Sequence, residues 1–281
     1  MPGPDLHIHS TASDGTLTPE ALVRRAVALG LPAIALTDHD TVAGVSAALE
    51  ASHDTPLRVI PGVELSAGVQ GQGVHILGYF IDHADPKLLS RLEELRTIRI
   101  TRARAIVASL AETGFEVTVD DVLSVADGGA VGRAHVAQAL VAAGHVASVA
   151  EAFERLLGSG RPHYVPKPVT SVREVVSWIR EAGGVAVVAH PALSAVDQLL
   201  PELVSAGVVG LEAYHGSHDR LVREHYATLA RTHGLVATGG SDFHGDHAEG
   251  NPLGSAEVPD DVVFALEAAR DRLHGGEGDV R

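Results

Sequence analysis

Seven short apolar runs recur along the chain, and most of them end in, or directly precede, a polar residue that can bind a metal ion or take part in catalysis. The runs span residues 5–9, 33–37, 58–60, 74–79, 185–189, 208–214 and 235–238. Several are continuously apolar, which is typical of parallel strands that are buried on both faces. We therefore predict seven strands, most of which deliver a polar side chain at or near their ends.

Helical patterns lie between these runs, at residues 18–30, 41–51, 171–182 and 219–232. The first is the clearest, because Thr18 suits an N-cap, Pro19 the first helical position and Gly30 the end of a helix. Alternation of strands and helices implies a parallel α/β fold. Polar residues at the ends of many different strands favour a distorted, seven-stranded (β/α) barrel of the TIM type. A doubly wound open sheet is the alternative, in which ligands gather at one switch point.

The segment from residue 85 to residue 166 interrupts this rhythm and contains no good strand pattern. One long helix is predicted at 86–112, and shorter helices are expected at 120–125, 133–143 and 149–157. We interpret the segment as a helical insertion whose ends lie at the barrel rim, where it caps the active site. The expected organisation is a first barrel part over 1–84, the insertion over 85–166 and a second barrel part over 167–281.

Composition excludes several classes of function. The chain has 281 residues, a net charge of −15 and no cysteine, so disulfides, thiolate metal sites and a cysteine nucleophile are ruled out. The acidic balance argues against binding of long duplex nucleic acid, which needs clustered lysine and arginine. The sequence shows neither a signal-peptide pattern nor an apolar run long enough to span a membrane. We therefore expect a cytoplasmic protein without a membrane partner, and the sequence indicates no particular protein partner.

Histidine is the unusual residue type, with 17 copies against 5 phenylalanines and 1 tryptophan. Nine residues on or just after predicted strand ends are candidate metal ligands: His7, His9, Asp14, His39, Glu64, His75, His190, Asp242 and His244. Taken singly, each has a structural alternative, such as a turn position for Asp14. Together they offer imidazoles and carboxylates without sulfur, which suits manganese, iron or zinc. Nine ligands are too many for one ion and fit two or three divalent ions, with Glu64 as a natural bridge.

Six segments carry a resemblance to a known family: DLHIHSTASDGTLTP, ALTDHDTVAG, PGVELSA, HILGYF, AHP and GGSDFHG. They resemble the successive motifs of the PHP (polymerase and histidinol phosphatase) superfamily, and most closely its stand-alone metal-dependent phosphoesterases. That branch includes enzymes acting on nucleoside 3′,5′-bisphosphates and on short RNA from the 5′ end. The resemblance implies a distorted seven-stranded barrel and three metal sites, held by His7, His9, Glu64 and Asp242, by Glu64, His75 and His190, and by Asp14, His39 and His244. Many family members carry histidine where this chain has Asp14.

The predicted insertion and the segment after it supply candidate anion contacts. The segments GRAH (132–135) and YVPK (164–167) resemble phosphate contacts of the same branch, which implies such roles for Arg133, His135 and Lys167. Arg99 and Arg102 on the predicted long helix are candidates for contact with a second phosphate or a nucleic-acid strand. The alternative for these two is a solvated helix face that pairs with nearby glutamates.

We hypothesise a metal-dependent phosphoesterase that hydrolyses a phosphomonoester of a nucleotide by attack of a metal-bound hydroxide. The metals, Arg133 and Lys167 would stabilise charge on the phosphoryl oxygens. The leaving oxygen would be stabilised by a metal or protonated by His190, His215 or a water. The expected partner is a small phosphorylated nucleotide or short oligonucleotide. The alternatives are a 5′-3′ exoribonuclease on short RNA and a histidinol phosphate phosphatase. An amidohydrolase is disfavoured because no lysine ends a strand, and a non-enzymatic barrel because all nine ligand positions are filled.

Overall fold

The computed structural model describes residues 2–166, 168–246 and 251–275. Seven strands form one sheet in chain order: β1 (Asp5–Ile8), β2 (Ala33–Leu36), β3 (Arg58–Val69), β4 (Gln72–Tyr79), β5 (Val185–Val188), β6 (Gly210–His215) and β7 (Val236–Gly240). The segment after β7 returns to β1 through a parallel bridge between Ile8 and Phe243, so the two edges of the sheet meet. The distorted seven-stranded barrel predicted from the sequence is confirmed.

One strand runs against the others, and here the prediction of parallel strands was wrong. β4 pairs antiparallel with both β3 and β5, whereas the remaining neighbours pair in parallel. β3 is also much longer than the predicted run of 58–60, and it turns directly into β4 at Gln70 and Gly71. Both turn residues have positive φ, 50° and 80°, as a two-residue hairpin requires. Such a short connection cannot make the crossover that a parallel strand needs.

Within the described ranges, ten α-helices accompany the strands: α1 (Pro19–Leu29), α2 (Val45–Ser52), α3 (Pro86–Ala111), α4 (Val119–Ala126), α5 (Arg133–Ala142), α6 (Val149–Ala152), α7 (Val172–Glu181), α8 (Leu200–Ala206), α9 (Arg220–Thr232) and α10 (Val262–His274). The Thr18 side chain caps α1, and Gly30 closes it in the left-handed conformation, as predicted. α2 begins four residues later than predicted, and no pattern predicted α8 or α10. None of these helices is both long and apolar enough to cross a membrane.

The helices α3 to α6 build a helical body with a separate apolar core. Its fully buried members include Leu110, Val136, Leu140 and Leu157. The body contacts the loops that follow β1 and β2, because Ala130 N donates to Ala12 O at 2.9 Å and Arg99 Nε lies 2.6 Å from Asp40 Oδ2. The body therefore lies at the rim where the predicted ligands gather. That this body is a separate domain with limits at residues 85 and 166 stays a prediction.

Candidate metal centre

The described strands bring all nine candidate ligands to one rim of the barrel. They are contributed by β1 and its following loop (His7, His9, Asp14), by the end of β2 (His39), by the β3–β4 hairpin (Glu64, His75), by the end of β5 (His190) and by the segment after β7 (Asp242, His244). Strand alternation places His7 and His9 on the same side of the chain. Accordingly, His7 Nε2 and His9 Nε2 lie 3.3 Å and 3.1 Å from Asp242 Oδ1.

Glu64 occupies the middle of this cluster. It is only 1% exposed, and its carboxylate approaches five imidazoles. Oε2 lies 3.2, 3.2 and 3.1 Å from nitrogens of His7, His9 and His39. Oε1 lies 2.7 and 3.1 Å from nitrogens of His75 and His190. A carboxylate shared in this way, one oxygen to each group of rings, can bridge two metal ions.

Asp14 lies beside His244, the one candidate histidine that does not approach Glu64. Its Oδ1 lies 3.4 Å from His244 Nε2 and its Oδ2 lies 4.0 Å from His39 Nε2. The rings of His9 and His244 stack with their centroids 4.1 Å apart. The rings of His39 and His9, at 4.7 Å, join this group to the one around Glu64.

Four sets of residues have ligand atoms within 4.8 Å of one another: His9, Asp14, His39 and His244; His7, His9, Glu64 and Asp242; His7, Glu212 and His215; and His39, Glu64 and His75. The second set is the first site implied by the family resemblance, and the first set contains the third site with His9 added. In the last set His39 stands where the resemblance implies His190. The His190 nitrogen nevertheless approaches the same Glu64 oxygen as His75 does.

The electrostatics of the centre favour bound cations. Burial alone would raise the pKa of Glu64, but the surrounding imidazoles together hold it well below its usual range. Burial alone would lower the pKa of His9, but the carboxylates of Asp242 and Glu64 raise it to about 10. Burial lowers the pKa of His39 to about 3, so this ring is neutral and can act as a ligand. Anionic carboxylates at the bottom of a histidine cluster therefore attract positive charge.

Unpartnered buried atoms test whether these residues fit metal ions. Both ring nitrogens of His9, Asp14 Oδ1 and the Nδ1 atoms of His39 and His190 are buried and lack a hydrogen bond within the described ranges. Native proteins seldom leave buried polar atoms unpaired without a bound ion or water to satisfy them. The His9 nitrogens, Asp14 Oδ1 and His39 Nδ1 lie 3.1–3.8 Å from other candidate ligand atoms, which is the arrangement of ligands around ions. The donor set of nitrogen and oxygen suits manganese, iron or zinc, so these residues fit such metal ions.

Strained backbone accompanies the site. His190 and Asp242 have φ of 24° and 56°, in a region that non-glycine residues adopt at a cost and mainly at functional positions. Gly240 at the end of β7 lies against β1, since a Cβ there would stand 2.4 Å from His7 N and His7 Cβ. This close approach brings the segment that carries Asp242 directly beside His7.

Sequence reasoning missed Glu212, which is fully buried on β6. Its Oε1 lies 3.0 Å from His7 Nδ1, and its Oε2 accepts a hydrogen bond from His190 N at 2.6 Å. His215, a predicted catalytic residue on the same strand, is 2% exposed, and its Nε2 lies 3.4 Å from Asp242 Oδ2. The only sequence signal for Glu212 was a charged residue inside an otherwise apolar run.

The candidate anion contacts lie on the helical body. Arg133 Nη1 donates to Leu157 O at 3.0 Å, and Arg102 Nε donates to Val165 O at 2.7 Å. Arg99 contacts Asp40 and the Val131 carbonyl. Arg99, Arg102 and Arg133 line one small cavity next to Gly132.

His135, at the start of α5, is 3% exposed and accepts a hydrogen bond from Gly132 N at 3.0 Å. Burial lowers its pKa. Lys167 lies outside the described residues. The phosphate-binding roles of all these residues stay predictions.

Comparison with known proteins places the chain among phosphoesterases. The PHP domain model matches residues 5–158, which is more than half of the chain. A 3′,5′-nucleoside bisphosphate phosphatase of Chromobacterium violaceum is 37% identical over 259 residues, covering 90% of this chain and 91% of that protein. A 5′-3′ exoribonuclease of Haemophilus influenzae is 37% identical over 245 residues, covering 85% and 89%. A crystal structure from Bifidobacterium adolescentis, described as a metal-dependent phosphoesterase, superposes with a TM-score of 0.88 at 36% identity, covering 96% and 98%.

Proposed function

The chain belongs to the PHP domain family and is a metal-dependent phosphoric ester hydrolase, and we propose that it hydrolyses a phosphomonoester of a nucleotide of the nucleoside 3′,5′-bisphosphate type. The observation that carries this proposal is the cluster around Glu64, whose carboxylate approaches five imidazoles within 3.2 Å. A relative of that activity aligns with 90% of the chain, which supports the substrate class. The cytoplasmic location expected from the sequence is part of the proposal.

We assign two or three divalent ions, manganese, iron or zinc, to the nine ligands. His7, His9, Glu64 and Asp242 would hold the first ion, Glu64, His75 and His190 the second, and Asp14, His39 and His244 the third. When bound, such ions activate water and neutralise charge on the phosphoryl oxygens. His9 has ligand atoms close to those of both the first and the third site, and its ring lies 4.7 Å from that of His39. We therefore expect the first and third sites to influence one another.

Arginines of the helical body would bind the phosphate. Arg133 stacks near the rings of Phe153 and Tyr164, with distances of 5.5 Å and 5.3 Å from its Cζ to the ring centroids. These rings hold the guanidinium group in place, and its planar fork suits a phosphate group. Arg102 and Arg99 stand beside it and would contact a second phosphate, which a bisphosphate carries and a monophosphate lacks.

Between the two predicted proton donors, the contacts favour His215. Ser217 N donates to His215 Nδ1 at 3.2 Å, so the neutral ring carries its proton on Nε2, the atom that faces Asp242. His190 turns its Nε2 toward Glu64, where it would serve as a ligand. We therefore propose that His215 Nε2–H donates a hydrogen bond that stabilises the leaving oxygen, which takes its proton from water.

The exoribonuclease of Haemophilus influenzae supports a second candidate, hydrolysis of short RNA from its 5′ end. The two activities share the metal chemistry and differ in how much of the substrate fits under the helical body. The histidinol phosphate alternative has no specific observation in its favour.

The test is phosphate release by purified, Mn²⁺-loaded protein from adenosine 3′,5′-bisphosphate and from AMP, beside shortening of a 5′-phosphorylated RNA oligomer. We expect rapid release from the bisphosphate and none from an Asp242→Ala variant. Asp197→Ala, the same change at a carboxylate outside the nine candidate ligands, serves as the matched control and should retain activity. Stepwise loss of mononucleotides from the RNA would instead identify an exoribonuclease, and inactivity on all three would refute the nucleotide substrate.

A further inference from the structure

Glu212 is fully buried, and both of its carboxylate oxygens are used by predicted metal ligands from two other strands. Oε1 lies 3.0 Å from Nδ1 of His7 on β1. Oε2 accepts a hydrogen bond of 2.6 Å from the backbone N–H of His190, after β5. Neither residue is a sequence neighbour of Glu212, so this side chain links parts of the centre that the fold brings together.

The contact with His7 fixes which ring nitrogen carries the proton. An ionised carboxylate only accepts hydrogen bonds, so Nδ1 of His7 must donate to Glu212. Nε2 is then the nitrogen that would offer its lone pair to a metal ion, and it faces Glu64 and Asp242 at 3.2 Å and 3.3 Å. A carboxylate behind a ligating imidazole orients the ring and increases its basicity toward the metal.

The contact with His190 acts on the backbone. His190 has a φ of 24°, which costs free energy and persists only where surrounding contacts enforce it. The short hydrogen bond from His190 N to Glu212 is such a contact. It holds the chain in the turn from which the His190 ring reaches Glu64.

An irregularity in β6 explains how Glu212 and His215 come to face the same centre. Glu212 pairs with Thr238 and Tyr214 with Gly239, so two steps along β6 match one step along β7. This bulge makes Ala213 the extra residue. Because an extra residue reverses the alternation beyond it, Glu212 and His215 lie on the same face of the strand, toward the metal centre.

We propose that Glu212 is a positioning residue of the metal centre, which holds His7 in the Nδ1-protonated tautomer and fixes the His190 turn, and so couples a ligand of the first metal site to one of the second. This inference rests on the metal centre of the proposed function. It does not depend on the substrate.

The test is the Glu212→Gln variant, which keeps the shape of the side chain. An amide offers one acceptor and one donor, whereas His7 Nδ1–H and His190 N–H both require acceptors. Either the His7 ring adopts the other tautomer, or His190 N–H faces an NH₂ group. We expect the affinity for Mn²⁺ and Zn²⁺, measured by competition with a chromogenic chelator, to fall by about 10- to 100-fold.

Asp197→Asn is the matched control. Asp197 lies 2.7 Å from His225 Nε2 and accepts a hydrogen bond from Tyr226 OH, so the same carboxylate-to-amide change is made beside an imidazole outside the centre. Its metal affinity should equal that of the wild type. Unchanged affinity of Glu212→Gln, or an equal loss in both variants, would overturn the proposal. So would the loss of one ion with the others bound normally, because Glu212 would then be a ligand itself.

A spectroscopic measurement on the wild-type protein tests the proposed role of Glu212 even if the Glu212→Gln variant does not fold. In zinc-loaded wild-type protein with ¹⁵N-labelled histidine, the His7 ring should show a proton on Nδ1, assigned by its absence in a His7→Gln variant. A His7 ring without a proton on Nδ1 refutes the proposal. If this proton is present and metal binds normally but no nucleotide is hydrolysed, only the substrate proposal fails.

Discussion

Arg102 offers a sharp test of whether the arginines of the helical body serve substrate binding or folding. Its Nε donates to the Val165 carbonyl at 2.7 Å, and its Cζ lies 5.8 Å from the Tyr164 ring centroid. Burial, together with the nearby charge of Arg133, lowers the pKa of Arg102 from 12.5 to about 10. A guanidinium kept charged in such surroundings costs folding free energy unless an anion binds there.

Replacing Arg102 with methionine removes this cost and one hydrogen bond. The lowered pKa corresponds to about 3 kcal/mol, which solvent screening of a partly exposed group reduces to about 1–2 kcal/mol. Loss of the hydrogen bond to Val165 costs about 0.5–1.5 kcal/mol. We therefore expect the free energy of unfolding to change by less than about 1 kcal/mol. Loss of a charged contact to phosphate costs about 1.5–3 kcal/mol, which predicts a decrease in kcat/KM of roughly 10- to 150-fold.

The assay compares kcat/KM for adenosine 3′,5′-bisphosphate with that for a monophosphate, beside urea unfolding of the same variants. The decrease should be confined to the bisphosphate, because Arg102 is assigned to the phosphate that does not react. Arg104→Met, an exposed arginine on the same helix, is the control and should change neither quantity. If Arg102→Met destabilises the fold by about 2 kcal/mol or more and leaves the bisphosphate kinetics intact, the arginine is structural and the reasoning fails.

Three further predictions concern the centre and the helical body. The raised pKa of His9, about 10, means that this ring keeps its proton at neutral pH and loses it as the pH rises through that value. Metal binding should therefore release protons, and calorimetric heats should differ between buffers of different ionisation enthalpy; equal heats would contradict this. Gly240→Ala places a Cβ 2.4 Å from His7 N and should cost about 1–3 kcal/mol and reduce the bound metal, whereas Gly73→Ala, with open space around it, should do neither. Leu140→Ala in the core of the helical body should cost about 2–5 kcal/mol and lower hydrogen-exchange protection there; equal loss in the barrel would indicate one shared core.

Much of the fold was accessible because apolar runs and helix caps are local signals. Thr18, Pro19 and Gly30 defined the first helix almost to the residue. The direction of β4 was not accessible, because apolar periodicity carries no information about strand direction. Ending the third strand at residue 60 left an apparent connection of 13 residues before residue 74, which hid a hairpin whose turn is only Gln70 and Gly71.

The nine candidate ligands could be listed from sequence because each is a metal-binding residue type at a strand end or within a short apolar run. Glu212 could not, since regular alternation puts it on the face opposite to His215, and only the bulge at Ala213 brings both to one side. The partners of Arg99, Arg102 and Arg133 depend on how the helical body rests on the barrel, which no local pattern records.

The reversed strand explains how this barrel gathers so many candidate ligands. A parallel strand reaches the functional rim only at its carboxyl end, whereas β4 descends from the hairpin and reaches the rim near its amino end. Its register with β3 sets His75 opposite Ser66, and so on the same face as Glu64, where His75 Nδ1 lies 2.7 Å from Glu64 Oε1. Glu64 can therefore lie in the interior of a long strand and still face candidate ligands from both sides: His39 after β2 and His75 on β4. A barrel with a parallel fourth strand would lack this pair.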